Sequence, residues 1–228
     1  MPTLLALGAH YDDCVFGVPG LLLQAVRKNY RVVIGAIIGD YTNWPPVEGR
    51  EPELLETSRA LAKSYGVEMR FLTAASMQFE VTEERKREVA QLVVDVKPDV
   101  AVMLWPHDRH PDHEVGARLS KIALHGANRI LDAPGWRPPR RIYQYDNGPG
   151  HTIGFEPDTF VDVSDEWEQA NEWLGKLMAF VRNQPYDPSR PDGAQEAKRV
   201  LAEYRGKTCG ARYAEAMKAM RAEPRDIL

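Results

Sequence analysis

An α/β fold of Rossmann-like character, with a mostly parallel sheet and flanking helices, is predicted by three features of the sequence. Short apolar runs rich in β-branched residues recur along the chain, longer helical patterns separate them, and clusters of histidine and aspartate follow two of the runs directly. The 228 residues suffice for one large domain at ~100–200 residues per domain. With 43% hydrophobic and 27% charged residues, the composition excludes a disordered or coiled-coil chain.

Taken in order, the strand candidates are Thr3 to Ala9, Arg31 to Ile38, Met69 to Leu72, Asp99 to Trp105 and Arg141 to Tyr145. Their near-continuous hydrophobicity suits strands buried on both faces. Helical patterns lie between them at about Gly17 to Lys28, Glu51 to Tyr65, Thr82 to Val96 and His113 to His125; Gly66 ends the second and Pro98 closes the third. This alternation predicts a strand order of 3-2-1-4-5. Residues 1–146 form the expected Rossmann-like core, and residues 147–228 a small C-terminal α/β appendage that completes a single domain over 1–228. Within the appendage, HTIGFEPDTFVDV reads as two short strands around a turn at Glu156, Pro157 and Asp158. Ser164 is the expected cap of a helix running to about Asn183, and the Pro-rich NQPYDPSRPDG loop is expected to precede the last helices.

Charge and composition narrow the function classes. With 29 basic against 33 acidic residues, no overall positive field is available for nucleic acid, which is excluded as a partner. No apolar run approaches the ~18 residues of a membrane span, and the opening MPTLLALGAH lacks a basic signal-peptide region, so a cytoplasmic protein without membrane attachment is expected. Cys14 and Cys209 are too few for a disulfide framework and are expected to be reduced thiols.

The chemistry concentrates in GAHYDDC, after the first strand, and WPHDRHPDH, after the fourth. In a 3-2-1-4-5 sheet these strands are neighbours at the point where strand order reverses, and there ligands bind outside the carboxyl ends of the strands. Imidazole and carboxylate oxygen suit Zn²⁺, and His10, Asp13 and His113 supply a three-ligand set that leaves a position for water. Asp12, beside the ligand Asp13, is placed to act as base. His110, with Asp112 nearby, suits oxyanion stabilisation or protonation of a leaving group. Asp112 is equally a fair helix N-cap, His107 and Asp108 read as solvated loop residues, and His125 and His151 as structural or exposed.

These two segments resemble the signatures AHPDDE and HPDH of the PIG-L or LmbE-like N-deacetylase family, here AHYDDC from Ala9 and HPDH from His110. FEPDTFVDVSDEW and YRGKTCGARYAEAM resemble the same family, particularly the branch that deacetylates sugar precursors of low-molecular-weight thiols such as bacillithiol. The resemblance implies His10, Asp13 and His113 as ligands of zinc, with iron as the alternative native metal. It also implies Asp12 as general base, His110 as the acid or oxyanion-stabilising histidine, and Asp112 as the carboxylate that modulates His110. Tyr11 and Cys14 stand where the family has proline and glutamate. The implied reaction removes the acetyl group from N-acetylglucosamine or a conjugate of it, releasing acetate and a free amine. Self-association into a homo-oligomer is a further expectation from the thiol branch.

Substrate selection is expected from loops on the same edge of the sheet. In the loop after the second strand, Trp44 can stack on a sugar ring or pack the rigid loop beside Pro45 and Pro46, and Arg50 can bind a hydroxyl, carboxylate or phosphate. Tyr143 and Asn147 are further candidates at the end of the fifth strand. The rival class is a catalytically inactive carbohydrate-binding or scaffold protein that keeps the fold. A nucleotide enzyme is disfavoured because the first βα turn lacks G-x-G-x-x-G.

Overall fold

The computed structural model describes residues 1–222. Among them the chain forms one seven-stranded sheet, in the order β3 (Glu68–Ala75), β2 (Arg31–Asp40), β1 (Thr3–Gly8), β4 (Val100–Leu104), β5 (Arg141–Tyr145), β7 (Ala214–Ala219), β6 (Thr159–Asp162). The five strands expected from the sequence are β1, β2, β3, β4 and β5, all parallel to one another. Central β1 is buried at all six residues, as its unbroken apolar run requires. At the edge, β3 is largely half-exposed, and Glu68 on it meets Arg31 of β2 at 2.9 Å; a charged edge of this kind discourages pairing with another chain.

The helices are α1 (Asp13–Gly17), α2 (Pro19–Arg27), α3 (Glu51–Ser64), α4 (Glu83–Val96), α5 (Pro111–Ile130), α6 (Trp167–Val181) and α7 (Gly193–Cys209). The helix expected over Gly17 to Lys28 is α2, which Pro19 opens at its first position, and a separate short helix, α1, precedes it over Asp13–Gly17. Helix α5 begins two residues before the expected His113. His110 is its N-cap, with Nδ1 accepting from the Asp112 N–H at 3.2 Å, so the capping role read for Asp112 belongs to His110. Against the sheet, α4 pairs with α5, whereas α6 packs on α2 and α3. The main core accordingly joins Leu5, Leu22 and Leu54 to Trp173 and Leu174.

The last third departs most from expectation. Only the second of the two short strands exists, β6 (Thr159–Asp162); the HTIGF half makes a single bridge, Thr152 to Asp108. Ser164 does not cap α6: its hydroxyl donates to Asp162 at 2.6 Å, and Glu166 holds the cap position. After α7 the described residues form no further helix but a strand, β7 (Ala214–Ala219), antiparallel to both β5 and β6. The AEAMKA segment has good helix formers, and the slot between two strands overrides that preference.

Strand β7 also fastens the appendage to the start of the chain. The Glu215 carboxylate accepts the N–H groups of Gly20 and Leu21, at 2.9 and 2.8 Å, at the positive end of α2. Lys198 of α7, 2% exposed, donates to Glu215 at 3.0 Å and to the Gly17 carbonyl at 2.8 Å. Removing one member of a buried pair leaves the other charge uncompensated, at a cost of roughly 3–5 kcal/mol. Lys198→Met is therefore expected to lower the unfolding free energy by about that amount. Chemical denaturation measures it, and an unchanged midpoint would show that the pair contributes nothing to stability.

Candidate active site

The two polar segments meet at the carboxyl ends of β1 and β4, where strand order reverses. The turn after β1 folds back so closely that a Cβ on Gly8 would lie 2.8 Å from Asp13 Cβ, so glycine is required there. Asp13, 2% exposed, then accepts the backbone N–H groups of Ala9 and His10 on Oδ2, at 2.7 and 2.8 Å. Asn147, just past β5, donates from Nδ2 to Oδ1 at 2.7 Å. Asp12 occupies the N-cap position of α1 without a side-chain capping bond, and it lines the cavity above.

Three imidazoles gather around this carboxylate. His113 Nε2 lies 3.1 Å from Asp13 Oδ1, and His10 Nδ1 lies 3.7 Å from Asp13 Oδ2. One nitrogen from each of His10, His110 and His113 falls within 4.8 Å of the others. The outward nitrogens separate the three residues chemically. His10 Nε2 meets Asp112 Oδ2 at 3.0 Å, and His113 Nδ1 lies 3.1 Å from Asp108 Oδ2. A carboxylate behind an imidazole is the usual support of a metal-ligating histidine. His110 has no such support, since its Nδ1 accepts a backbone N–H.

Asp112 consequently acts on a different histidine from the one expected. Its carboxylate takes His10, the Met77 N–H at 2.9 Å and the Ser76 hydroxyl at 3.3 Å, and it reaches His110 only through its own backbone N–H. The position in the first turn of α5 aims the side chain across at His10 and the end of β3, whereas His110 lies back over the helix start.

The electrostatics follow from burial opposed by close charge. For His10, burial disfavours the charged ring, but the Asp112 and Asp13 carboxylates outweigh it and raise the pKa to about 9. His113 behaves likewise between Asp13 and Asp108, reaching about 10. Burial works against ionised Asp13 too, and His113 and His10 nevertheless hold it well below the usual carboxylate range. Asp12 moves the other way, pushed up by burial and then by the neighbouring negative charge of Asp13. His110 is pushed down, by burial and then by His10 and His113. Cys14 is buried beneath the turn and its thiol is pushed up by that burial, which leaves it a packing residue 3.4 Å from the Tyr145 hydroxyl.

A cavity of about 510 Å³ opens over these groups. Trp44 lines it, in contact with the rings of Tyr11 and Tyr41. Asn147 lines it as well, with its amide engaged by Asp13. Arg50 does not line it: the guanidinium donates to the carbonyls of Phe180, Pro46 and Val181 and lies over the Phe180 ring. Tyr143 is outside the lining too, half-buried against the core on β5. Two residues read as loop or structural prove central. Asp108 is 7% exposed and also accepts the His110 N–H at 2.8 Å, and His151, 3.5 Å from Asp108, lines the cavity. A usable signal lay in the WPHDRHPDH string itself, where an aspartate two residues from one histidine and five from another suits a backing carboxylate.

Fold and site together define a Rossmann-like α/β protein with a histidine–carboxylate centre at the switch point of its sheet. The chain belongs to the PIG-L family: the family model described as GlcNAc-PI de-N-acetylase matches residues 5–124. Among characterised proteins it is similar to the diacetylchitobiose deacetylase of Thermococcus kodakarensis, at 27% identity over 94% of this chain and 82% of that one. Two solved structures share the fold at low identity. The 4-carboxy-2-hydroxymuconate hydratase GalB of Pseudomonas putida KT2440 has a TM-score of 0.82 at 16% identity, with all of both chains covered. The N,N'-diacetylchitobiose deacetylase of Pyrococcus horikoshii has a TM-score of 0.76 at 18% identity, covering 96% of this chain and 83% of that one.

The backing carboxylates give a direct test of the centre. Asp112→Asn and Asp108→Asn are each expected to weaken zinc binding by about 10–100-fold, the usual cost of losing such support. Competition with a chromophoric chelator measures it, and affinities equal to the parent protein would remove both carboxylates from the centre.

Proposed function

We propose that the protein is a divalent-metal-dependent N-deacetylase that hydrolyses the acetamide of an N-acetylglucosamine-type sugar, giving acetate and a free amine. The observation that carries this reading is the pair of carboxylate-backed imidazoles, His10 and His113, converging on buried Asp13. That donor set of two nitrogens and a carboxylate suits zinc or ferrous iron. His10, Asp13 and His113 would hold the cation, and ligation requires the imidazoles, which Asp112, Asp13 and Asp108 keep basic, to release their protons. When bound, such a cation supplies Lewis acidity toward a carbonyl and toward water.

The remaining work falls to residues of the chain. Asp12 takes the proton of the attacking water on its carboxylate, whose basicity is raised by burial and then by the charge of Asp13. Because His110 Nδ1 accepts the Asp112 N–H, the neutral ring carries its proton on Nε2. From there it donates to the carbonyl oxygen as that atom gains negative charge. The carbon–nitrogen bond breaks as Asp12 returns its proton to the departing nitrogen. Trp44 offers a ring face to the sugar. The family membership and the deacetylase relative support this reading over an inert scaffold, as does the presence of every group these steps require.

Three variants separate the roles. His113→Ala is expected to lose zinc together with activity, and His110→Ala to keep zinc and lose turnover. Asp12→Asn preserves size but cannot take a proton at neutral pH, so kcat is expected to fall by about 10²–10⁴ with zinc retained. Elemental analysis paired with acetate release on N-acetylglucosamine conjugates measures both properties. Near-normal turnover by zinc-replete Asp12→Asn protein would eliminate Asp12 as the base.

A further inference from the structure

The cavity extends beyond the imidazoles to a second wall of different character. Phe16, Leu174, Met178, Ala194 and Ala197 form it, four of them on α6 and α7 and outside the residues matched by the family model. Leu174 is fully buried and Met178 is 5% exposed. The two helices approach so closely at Gly175 that a Cβ there would lie 2.5 Å from Gln195 Nε2, and that nitrogen donates to the Asn171 carbonyl at 2.9 Å. The wall is therefore set on clasped helices.

Its charge pattern is equally specific. Among the described residues, no lysine or arginine lines the cavity, and its carboxylates and imidazoles, those of Asp12 and Asp13 with His10, His110, His113 and His151, all lie outside the α6 and α7 wall. The two guanidinium groups at the C-terminal end of α6 are engaged elsewhere, Arg50 by three carbonyls and Arg182 by the Asp192 carboxylate. A carboxylate or phosphate pressed against this wall would be desolvated without a partner, which is costly, while an apolar group would gain by burial.

We infer that the site selects a neutral N-acetyl sugar bearing an apolar substituent, with the acetamide at the imidazoles and the substituent against Phe16, Met178, Ala194 and Ala197, which Leu174 backs. This rests on the deacetylase reading and names the substrate class for it. A cavity of about 510 Å³ lies within the ~300–1,000 Å³ range of pockets that enclose ligands of that size.

Three probes decide it: the methyl, butyl and 3-carboxypropyl glycosides of N-acetylglucosamine, the last two matched in length. Dissociation constants come from calorimetry on zinc-loaded Asp12→Asn protein, and kcat/KM from acetate release by the zinc-loaded parent. Burial of a methylene is worth roughly fourfold in affinity, so the butyl glycoside is expected to bind at least about tenfold tighter than the methyl. The carboxypropyl glycoside is expected to bind at least about tenfold more weakly than the butyl. Met178→Arg, verified by its thermal unfolding, is expected to shift that last ratio toward the carboxylate by about tenfold or more. Equal affinities for all three probes, or tighter binding of the carboxypropyl than of the butyl glycoside by the Asp12→Asn protein, would overturn the inference, whatever Met178→Arg does. The expected order of affinities without acetate release from any probe would refute the deacetylase reading and leave the apolar selection standing. Absence of binding by every glycoside would overturn both.

Discussion

The buried carboxylate of Asp13 is the constraint on which the rest of the site depends. It ties down its own turn through two backbone N–H groups, takes an amide from the end of β5, and faces imidazoles contributed by the turn after β1 and by α5. An ionised group at this depth is costly unless it is fully partnered, and here three strand ends supply the partners. The close approach at Gly8, the parallel register of β1 with β4 and β5, and the position of Asn147 are all conditions for satisfying one negative charge. Burial of Asp12 itself, and then the negative charge of Asp13, push Asp12 up, so a structural requirement of the turn bears on the chemistry of its neighbour.

One architecture accommodates different reactions. A hydratase and a deacetylase both share this fold with TM-scores above 0.7, so the sheet alone does not select a reaction. The chemistry of this chain is set instead by how its own imidazoles are partnered. In this chain the difference between His113, set against Asp108, and His110, set against a backbone N–H, divides two neighbouring rings into distinct chemical types.

Much of this was legible in the sequence, for identifiable reasons. The five parallel strands announce themselves because burial on both faces demands unbroken apolar runs, and the placement of the two polar segments follows from strand order. The grouping of His10, Asp13 and His113 is visible because residues at the ends of adjacent strands must lie close together. Contacts made across the fold were not legible. Asp108 looks like any loop aspartate until the bridge to Thr152 buries it, and Arg50 looks available until the C-terminal end of α6 occupies it. Strand β7 carries helix-forming residues and becomes a strand only because β5 and β6 leave a slot for it. The apolar wall is written as ordinary helix-core spacing, which local pattern cannot distinguish from cavity lining.

The amide of Asn147 lies beyond residue 124, where the match to the family model stops, yet it anchors a carboxylate inside the matched stretch. Tyr145, whose hydroxyl donates to the Leu7 carbonyl and touches Cys14, lies beyond the same limit. Shared ancestry is thus most visible in a stretch that is not a self-sufficient module. Exchange of the segment after residue 124 between relatives would place a foreign anchor beneath the turn that holds Asp13, so the geometry of the matched stretch depends on side chains outside it.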